Sequence, residues 1–131
     1  MVVEKPSLAF VWLGMNQTAA PFDNPDVRRA VQYGVDRKAV VDAAYFGAAA
    51  TSTGIIAPGL VGHREKNLFE YDPDKARELI NKAGASGATI TLDILNKAER
   101  LSAAQVIQAN LQDIGINVEI KQNDSGTFWT L

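Results

Sequence analysis

Charged side chains cluster in one stretch of the sequence, Phe22–Gly47, and they are the first candidates for chemistry. The cluster consists of Asp23, Asp26, Arg28, Arg29, Asp36 and Arg37. Nucleophilic catalysis would need a set such as Ser/His/Asp, and phosphate chemistry would need a glycine-rich loop; the sequence has neither motif. Helix caps, helix-end charges and ion pairs explain the cluster more simply. We therefore predict that it is structural and that the chain is not an enzyme.

The sequence offers little for binding a metal ion. It contains no cysteine, which excludes thiol nucleophiles, disulfides and cysteine-ligated metal sites. His63 is the single histidine, and a metal site needs several convergent ligands. Glu70, Asp72 and Asp74 lack the alternating oxygen ligands and the central glycine of a calcium loop, and helix capping explains Asp72 and Asp74. We predict no metal and no cofactor.

The segment Asn96–Arg100, with the sequence NKAER, is the strongest candidate for ligand binding. It follows a predicted strand, and in open α/β sheets ligands collect at the carboxyl edge of the strands. We therefore take Asn96, Glu99 and Arg100 as candidate ligand-binding residues. The alternative is that Arg100 is a solvated side chain in the first turn of a helix, since surface charges rarely need a function.

The charge of the sequence argues against nucleic acid as a partner. The formal net charge is −2, with 13 basic residues spread among 15 acidic ones. Proteins that bind DNA or RNA neutralise several phosphates with clustered lysines and arginines. The longest apolar run, Leu8–Met15, is too short to span a membrane. Met1–Pro6 lacks the apolar core of a signal peptide, so a leader, if the protein is exported, is not expected within this chain.

Two helices are predicted within Phe22–Gly47. The residues that signal their starts and ends are Asn24, Pro25 and Asp26 for the first helix, Gly34 as the point where the chain turns out, and Asp36 and Gly47 for the second. The apolar positions are Val27, Ala30 and Val31 in the first helix and Ala39, Val40, Ala43 and Ala44 in the second. Because the link between the helices is short, we predict that they bend back and present one common face of small residues.

The second half of the chain predicts a βαβ unit preceded by a helix. Asp72–Gly84 carries an N-cap aspartate, a proline at the first helical position, an apolar stripe and a terminal glycine. Ala88–Asn96 and Ile116–Gln122 alternate between apolar and polar residues as strands do, and Glu99–Ile114 has helical spacing. A strand, a helix and a strand joined by short connections form a βαβ unit, so the two strands are expected to be parallel and the crossover right-handed. The predicted fold class is therefore α/β.

The two ends of the chain add one strand and one helix start. Ser7–Asn16 is apolar on both faces, which is typical of a strand covered on both sides and places Trp12 in the core. Asn123–Leu131 begins with a cap, either Asp124 or Ser125, and then becomes apolar. Its aromatic residues would lack local cover, so we expect the chain to be a piece of a longer protein.

The segment Ala48–Tyr71 has no sustained periodicity and is predicted to be a long loop. Loops of more than about 12–15 residues in compact domains usually bind or cover something. The simpler interpretation is that this loop wraps over the core of the domain. Its apolar contacts would then be Ile55, Ile56, Leu60, Leu68 and Phe69. The alternative is that the loop binds a partner.

Four blocks of sequence together carry a family resemblance. In chain order they are FDNPDVRRAVQYGVDRKAVVDAAYFG at Phe22–Gly47, the turn Ile56–Pro58, YDPDKARELINKAG at Tyr71–Gly84 and QANLQDIGINVEI at Gln108–Ile120. In this order they resemble the large extracytoplasmic solute-binding proteins of ABC transporters for peptides and nickel, bacterial family 5. The resemblance covers nearly the whole chain.

The resemblance implies a lobe of the type II periplasmic-binding-protein kind, with a βαβ unit and a helical pair. Residues 1–131 would be part of the C-terminal lobe of a two-lobe protein in the periplasm or outside the cell, associated with the membrane. Its partners would be a small-molecule or peptide ligand and the membrane permease of the transporter. In peptide-binding relatives a basic residue in the loop corresponding to Asn96–Arg100 pairs with the ligand carboxylate, and Arg100 matches it. Arginine suits this role because its planar guanidinium donates two parallel hydrogen bonds to a carboxylate.

Two interpretations stay open on the sequence. In the first, the chain is a lobe fragment of the solute-binding component of an ABC importer, with a peptide, a nickel complex, a sugar or an opine as ligand. In the second, it is a small α/β interaction or regulatory domain without a transport role. A homodimer of this chain is also predicted, because a lobe without its surroundings exposes apolar surface and a sheet edge.

Overall fold

The structure, a computed structural model, describes residues 9–54 and 56–131 as an α/β fold. The elements in this part of the chain are α1 (Pro25–Gly34), α2 (Arg37–Tyr45), α3 (Pro73–Ala83), β1 (Thr89–Leu95), α4 (Ala98–Asp113), β2 (Asn117–Asn123) and α5 (Ser125–Phe128). The first two residues of the strand predicted at 7–16 and the loop contact predicted for Ile55 lie outside the described residues.

The two N-terminal helices begin where their capping residues predict. The Asn24 side chain accepts a hydrogen bond from the backbone N–H of Asp26 at 2.8 Å. The Asp36 carboxylate accepts one from the N–H of Ala39 at 3.1 Å. Each cap satisfies an N–H group that has no partner within its own helix, so both helix starts are set by local sequence.

The prediction that α1 and α2 share one face is wrong. α1 packs against α3, whereas α2 packs against α4. The link between the two helices is fixed on α4, because Asn110 accepts a hydrogen bond from the N–H of Asp36 at 3.0 Å. Ala44 is the buried residue of α2, and Ala43, predicted to lie on the apolar face, is exposed.

Gly34 serves a different purpose from the predicted one. The residue after it, Val35, is extended, and Gly34 has no positive φ angle. A Cβ atom on Gly34 would lie 2.8 Å from Cδ1 of Ile114 and 3.4 Å from Cβ of Ala76. The glycine therefore allows the end of α1 to approach α3 and the end of α4 closely, and it is not needed to turn the chain.

We expect Gly34→Val to lower the free energy of unfolding by about 1–3 kcal/mol, since extra methyl groups overpack a closely fitted site. Gln32→Val is the matched control, because Gln32 lies on the exposed side of the same helix and its replacement should change stability by less than about 0.5 kcal/mol. Urea denaturation of the 131-residue chain, followed by circular dichroism, measures both values. Equal stability of the two variants would contradict close packing at Gly34.

The βαβ unit forms as predicted. β1 and β2 are parallel, with Thr89 opposite Asn117 at one end and Leu95 opposite Asn123 at the other. α4 connects them and packs on both strands. Gly115, with a φ angle of 98°, makes the turn from α4 into β2 in a backbone region that glycine adopts without strain.

α3 supplies the centre of the core. Its cap, Asp72, accepts a hydrogen bond from the N–H of Lys75 at 3.1 Å, and Gly84 ends the helix in the left-handed region. Ala76 and Ile80 are completely buried. The buried cluster around them consists of Val27, Ala30, Val31, Ala76, Ile80, Leu111, Ile114, Ile116 and Val118. α1, α3, α4 and β2 therefore share one core.

The segment before α1 does not form the predicted strand. Residues 9–16 have no regular structure, and Trp12, predicted to be buried, is 70% exposed. The sheet formed by the described residues contains β1 and β2, and residues 9–16 pair with neither strand. Leu13 and Met15 instead line a small cleft of about 40 Å³ with Ile90 and Leu92 of β1.

The long loop is present, but it does not cover the core. The described residues of 48–71 contain no helix or strand. Ile56, Leu60 and Leu68, predicted to be apolar contacts, are exposed. Phe69 packs edge-on against Tyr33 with ring centroids 5.1 Å apart. The contact predicted for Phe69 is therefore present, and the other described contacts are absent.

Candidate ligand-binding site

The carboxyl ends of β1 and β2 place the candidate residues at one edge of the sheet. Because Leu95 is opposite Asn123, the segments that follow both strands leave the sheet at the same edge. The N–H of Asn96 donates to the carbonyl oxygen of Asn123 at 2.9 Å, which holds the residue after β1 against the last residue of β2. Asn96 is exposed, and α4 begins at Ala98.

Arg100 lies in the first turn of α4 and is half-buried. Its Nη1 donates a long hydrogen bond of 3.5 Å to the hydroxyl of Tyr45, at the end of α2. It forms no ion pair with any carboxylate in the described part of the chain. A half-buried guanidinium without a carboxylate partner is suited to bind one supplied by a ligand.

The case for ligand binding is weaker for Glu99 and Asn96 than for Arg100. Glu99 is half-buried in the first turn of α4, where a negative charge interacts favourably with the helix dipole, so its position has a structural explanation. The N-cap residue Lys97 gives no capping hydrogen bond from its side chain. Asn96 thus precedes α4, and Glu99 and Arg100 lie in its first turn.

Two residues of this edge were not found by sequence reasoning. Asn123 is only 5% exposed, and its Nδ2 donates to Oδ1 of Asp93 at 3.0 Å and to the carbonyl oxygen of Lys121 at 3.2 Å. Tyr45 reaches the edge from α2, which is distant in sequence. If the register of β1 and β2 had been known, it would have placed Asn123 near Asp93. No local sequence pattern points to Tyr45.

We expect Asn123→Ala to lower the free energy of unfolding by about 1–3 kcal/mol, because a buried hydrogen bond to a carboxylate is lost and Asp93 loses its partner. Gln122→Ala is the matched control, since Gln122 is exposed on the same strand. Chemical denaturation of both variants measures the difference. A loss for Asn123→Ala no larger than that for Gln122→Ala would contradict a bracing role for Asn123.

Asp124, the acidic residue next to this edge, has a structural role. Asp124 caps α5 by accepting hydrogen bonds from the N–H and the hydroxyl of Thr127, at 2.9 Å and 3.1 Å. The N–H and then the hydroxyl of Thr127 hold the pKa of Asp124 below its usual value. Within the described ranges, no group of three or more histidine or acidic side chains is placed to hold a metal ion.

The charged cluster of α1 and α2 makes structural contacts. Asp26 pairs with Arg29 at 3.3 Å and with Lys82 of α3 at 3.6 Å. Arg28 donates to the carbonyl oxygen of Phe22 at 2.7 Å. Arg37 bonds to the long loop rather than to a carboxylate. The cluster thus combines ion pairs with arginine-to-carbonyl hydrogen bonds, and the latter were not predicted.

Family membership follows from comparison with known proteins. A sequence model described as bacterial extracellular solute-binding proteins, family 5 (middle), matches residues 1–131. The chain belongs to this family. The glutathione-binding protein GsiB of Salmonella choleraesuis (strain SC-B67) is 37% identical over 127 residues, which are 95% of this chain and 25% of GsiB. GsiB of Escherichia coli (strain K12) is 35% identical over the same length. The chain thus spans about a quarter of the length of these curated relatives.

Solved structures of periplasmic binding proteins support the fold. DppA from Helicobacter pylori, in complex with the peptide STSA, is 31% identical with a TM-score of 0.78; the match covers 89% of this chain and 23% of DppA. AgaA from A. tumefaciens R10, in complex with agropinic acid, is 30% identical with a TM-score of 0.75, covering 88% of this chain and 24% of AgaA. The predicted type II-like α/β fold is therefore confirmed. The matched relatives are binding proteins, which confirms the prediction that the chain is not an enzyme.

No helix among the described residues combines the length and the apolar character needed to cross a membrane.

Proposed function

We propose that this chain is part of the solute-binding component of an ABC importer, with a peptide as ligand. The observation that carries the proposal is the match of the family 5 model along residues 1–131. Partners would be the ligand and, through the longer protein, the membrane permease. The protein would act in the periplasm or outside the cell, associated with the membrane.

The chain would form part of the C-terminal lobe of a two-lobe protein. The placement rests on the resemblance carried by the four sequence blocks. The chain corresponds to about a quarter of each relative's length, so it would be one part of the longer protein. The prediction of a homodimer has no support from the relatives and stays a prediction.

Arg100 would bind a carboxylate of the ligand, with Asn96 and Glu99 beside it. Support comes from the position of Arg100 at the carboxyl edge and from its lack of an acidic partner among the described residues. The molecules named with the relatives fit this chemistry, since glutathione, a tetrapeptide and agropinic acid all carry carboxylates. A peptide is favoured because two of these three relatives are named with peptides.

A thermal-shift screen of the longer protein tests the proposal. The panel contains glutathione, the tetrapeptide Ser-Thr-Ser-Ala, agropinic acid, glucose and a nickel chelate. A ligand present at 100 times its Kd stabilises the folded form by about 2.7 kcal/mol, which raises the melting temperature. We expect a shift with a peptide and a smaller shift with its C-terminal amide. A shift with the sugar or the chelate alone would overturn peptide binding, and a protein that responds to no solute class would favour the interaction-domain alternative.

A further inference from the structure

The long loop is held by something other than the core. None of its described residues, 48–54 and 56–71, belongs to the buried cluster. Val61 is fully exposed, and Leu60 is 47% exposed. A segment without buried apolar contacts gains little from hydrophobic burial, so its conformation depends on its hydrogen bonds.

Arg37, at the start of α2, bonds to both ends of this loop. Its Nη2 donates to Oδ1 of Asn67 at 2.8 Å and also to the carbonyl oxygen of Phe69. Its Nη1 donates to the carbonyl oxygen of Ser52 at 3.5 Å. A guanidinium is a rigid planar group with several donors, so one side chain can join two chain segments that a lysine would not. Arg37 therefore connects the outgoing and the returning arms of the loop.

Asn67 completes this junction from the loop side. Its Oδ1 accepts from Arg37 and also from the N–H of Phe69 at 3.1 Å. The same oxygen thus sets the local turn and receives the guanidinium. Replacing Asn67 removes the contact without changing any residue of α2.

The two arms of the loop are also tied to each other. The hydroxyl of Thr53 donates to the carbonyl oxygen of Arg64, and the guanidinium of Arg64 donates back to the carbonyl oxygen of Thr53. Further out, Nδ1 of His63 is 2.7 Å from the carbonyl oxygen of Ile56. These bonds join residues within the loop, so they remain when the loop leaves the helices.

The returning arm has a second attachment beyond Asn67. Phe69 packs on Tyr33, the Nζ of Lys75 lies 4.5 Å from the centre of the Tyr33 ring, and the N–H of Asp72 donates to the carbonyl oxygen of Tyr33 at 2.9 Å. This attachment leads directly into α3, which is part of the core. Movement of the loop would therefore stop at Phe69.

We propose that residues 48–54 and 56–67 form a strap, latched by Arg37, that opens as one unit while the core stays folded. The bonds within the strap keep it together, and the contacts of Phe69 keep its end on α1. The latch is polar and only half-buried, whereas the core is apolar and buried, so the two need not open together.

Native-state proteolysis of the 131-residue chain with thermolysin tests the proposal. Cleavage before Leu60 or Val61, identified by mass spectrometry, reports the open strap, and its rate follows the population of the open form. We expect Arg37→Ala and Asn67→Ala each to accelerate this cleavage about tenfold or more, by the loss of charge-assisted hydrogen bonds. Hydrogen exchange at the amides of α3 and β2 should stay as slow as in the unmodified chain.

Arg29→Ala is the control, because it removes an arginine whose partner is Asp26 on the same helix and should leave strap cleavage unchanged. If Arg37→Ala is unfolded, the Asn67→Ala variant provides the test of the latch, because it changes no residue of α2. Unchanged cleavage in Asn67→Ala would overturn the latch. If hydrogen exchange at the amides of α3 and β2 accelerated by the same factor as strap cleavage, the strap would not open independently of the core.

Discussion

Ile80→Ala is expected to lower the free energy of unfolding of this chain by about 2–5 kcal/mol, the range found when a large buried aliphatic side chain is truncated. Ile80 is completely buried on α3, in the same cluster as Val27 of α1 and Ile116, which begins the return of the chain toward β2. Truncation removes apolar contacts and leaves a cavity among elements that the rest of the fold holds in place. Urea denaturation followed by circular dichroism measures the loss.

Val61→Ala is the matched control for Ile80→Ala. Val61 is fully exposed at the tip of the long loop, so its truncation should change stability by less than about 0.5 kcal/mol. If Ile80→Ala and Val61→Ala had the same stability, α3 would not lie at the centre of the core. A loss confined to Ile80→Ala supports one core shared by α1, α3, α4 and β2.

Arg100→Ala is expected to weaken ligand binding by the longer protein about tenfold or more, which corresponds to about 1.4 kcal/mol. The physical reason is the loss of a bidentate, charge-assisted contact to the ligand carboxylate. Calorimetric titration with the peptide selected by the thermal-shift screen measures the affinity. Lys121→Ala is the control, because Lys121 is an exposed cation on β2 that we assign no ligand contact.

A further comparison separates ligand contact from a structural effect of Arg100. If the guanidinium binds the ligand carboxylate, its removal should weaken the free peptide much more than the same peptide with an amidated C-terminus. Unchanged affinity in Arg100→Ala would reject the contact. An equal loss for the two peptides would indicate that Arg100 supports the fold through Tyr45 instead.

Local signals in the sequence predicted the helices and the βαβ unit well. Asn24, Asp36 and Asp72 each bond to an N–H two or three residues further along the chain, so the residues that define each helix start are adjacent in sequence. β1 and β2 have alternating patterns and α4 lies between them, which makes a parallel pair the natural arrangement. These elements need no knowledge of distant residues.

The errors all concern contacts between distant parts of the chain. An apolar run such as residues 9–16 has the composition of a strand, but a strand forms only by pairing with another strand, and the local sequence does not say whether that pairing occurs. Gly34 was predicted to let the chain turn at the end of the helix. The structure instead shows that a side chain there would be too close to Ile114. The loop at 48–71 was expected to use apolar contacts, and Arg37 holds it with hydrogen bonds to residues about 30 positions away.

The residues of the candidate site also fall into those that local sequence predicts and those that depend on distant parts of the chain. Asn96, Glu99 and Arg100 were found because they follow a strand directly and the carboxyl edge of a sheet is where ligands collect. Tyr45 was missed because its hydroxyl reaches Arg100 from a helix 55 positions earlier in the chain. Asn123 was missed because its importance depends on the strand register, which puts it across the sheet from Leu95 and within reach of Asp93.

Hydrogen exchange of the longer protein, with and without the ligand that gives the largest thermal shift, tests the proposed binding edge most directly. We expect ligand to slow exchange at the amides of residues 96–101, since bound ligand restricts the start of α4. The Arg100→Ala variant, compared with the unmodified protein at a ligand concentration equal to the Kd of the unmodified protein, should lose most of that protection. Protection elsewhere in the longer protein with unchanged exchange at residues 96–101 would contradict the assignment of this edge as the binding site.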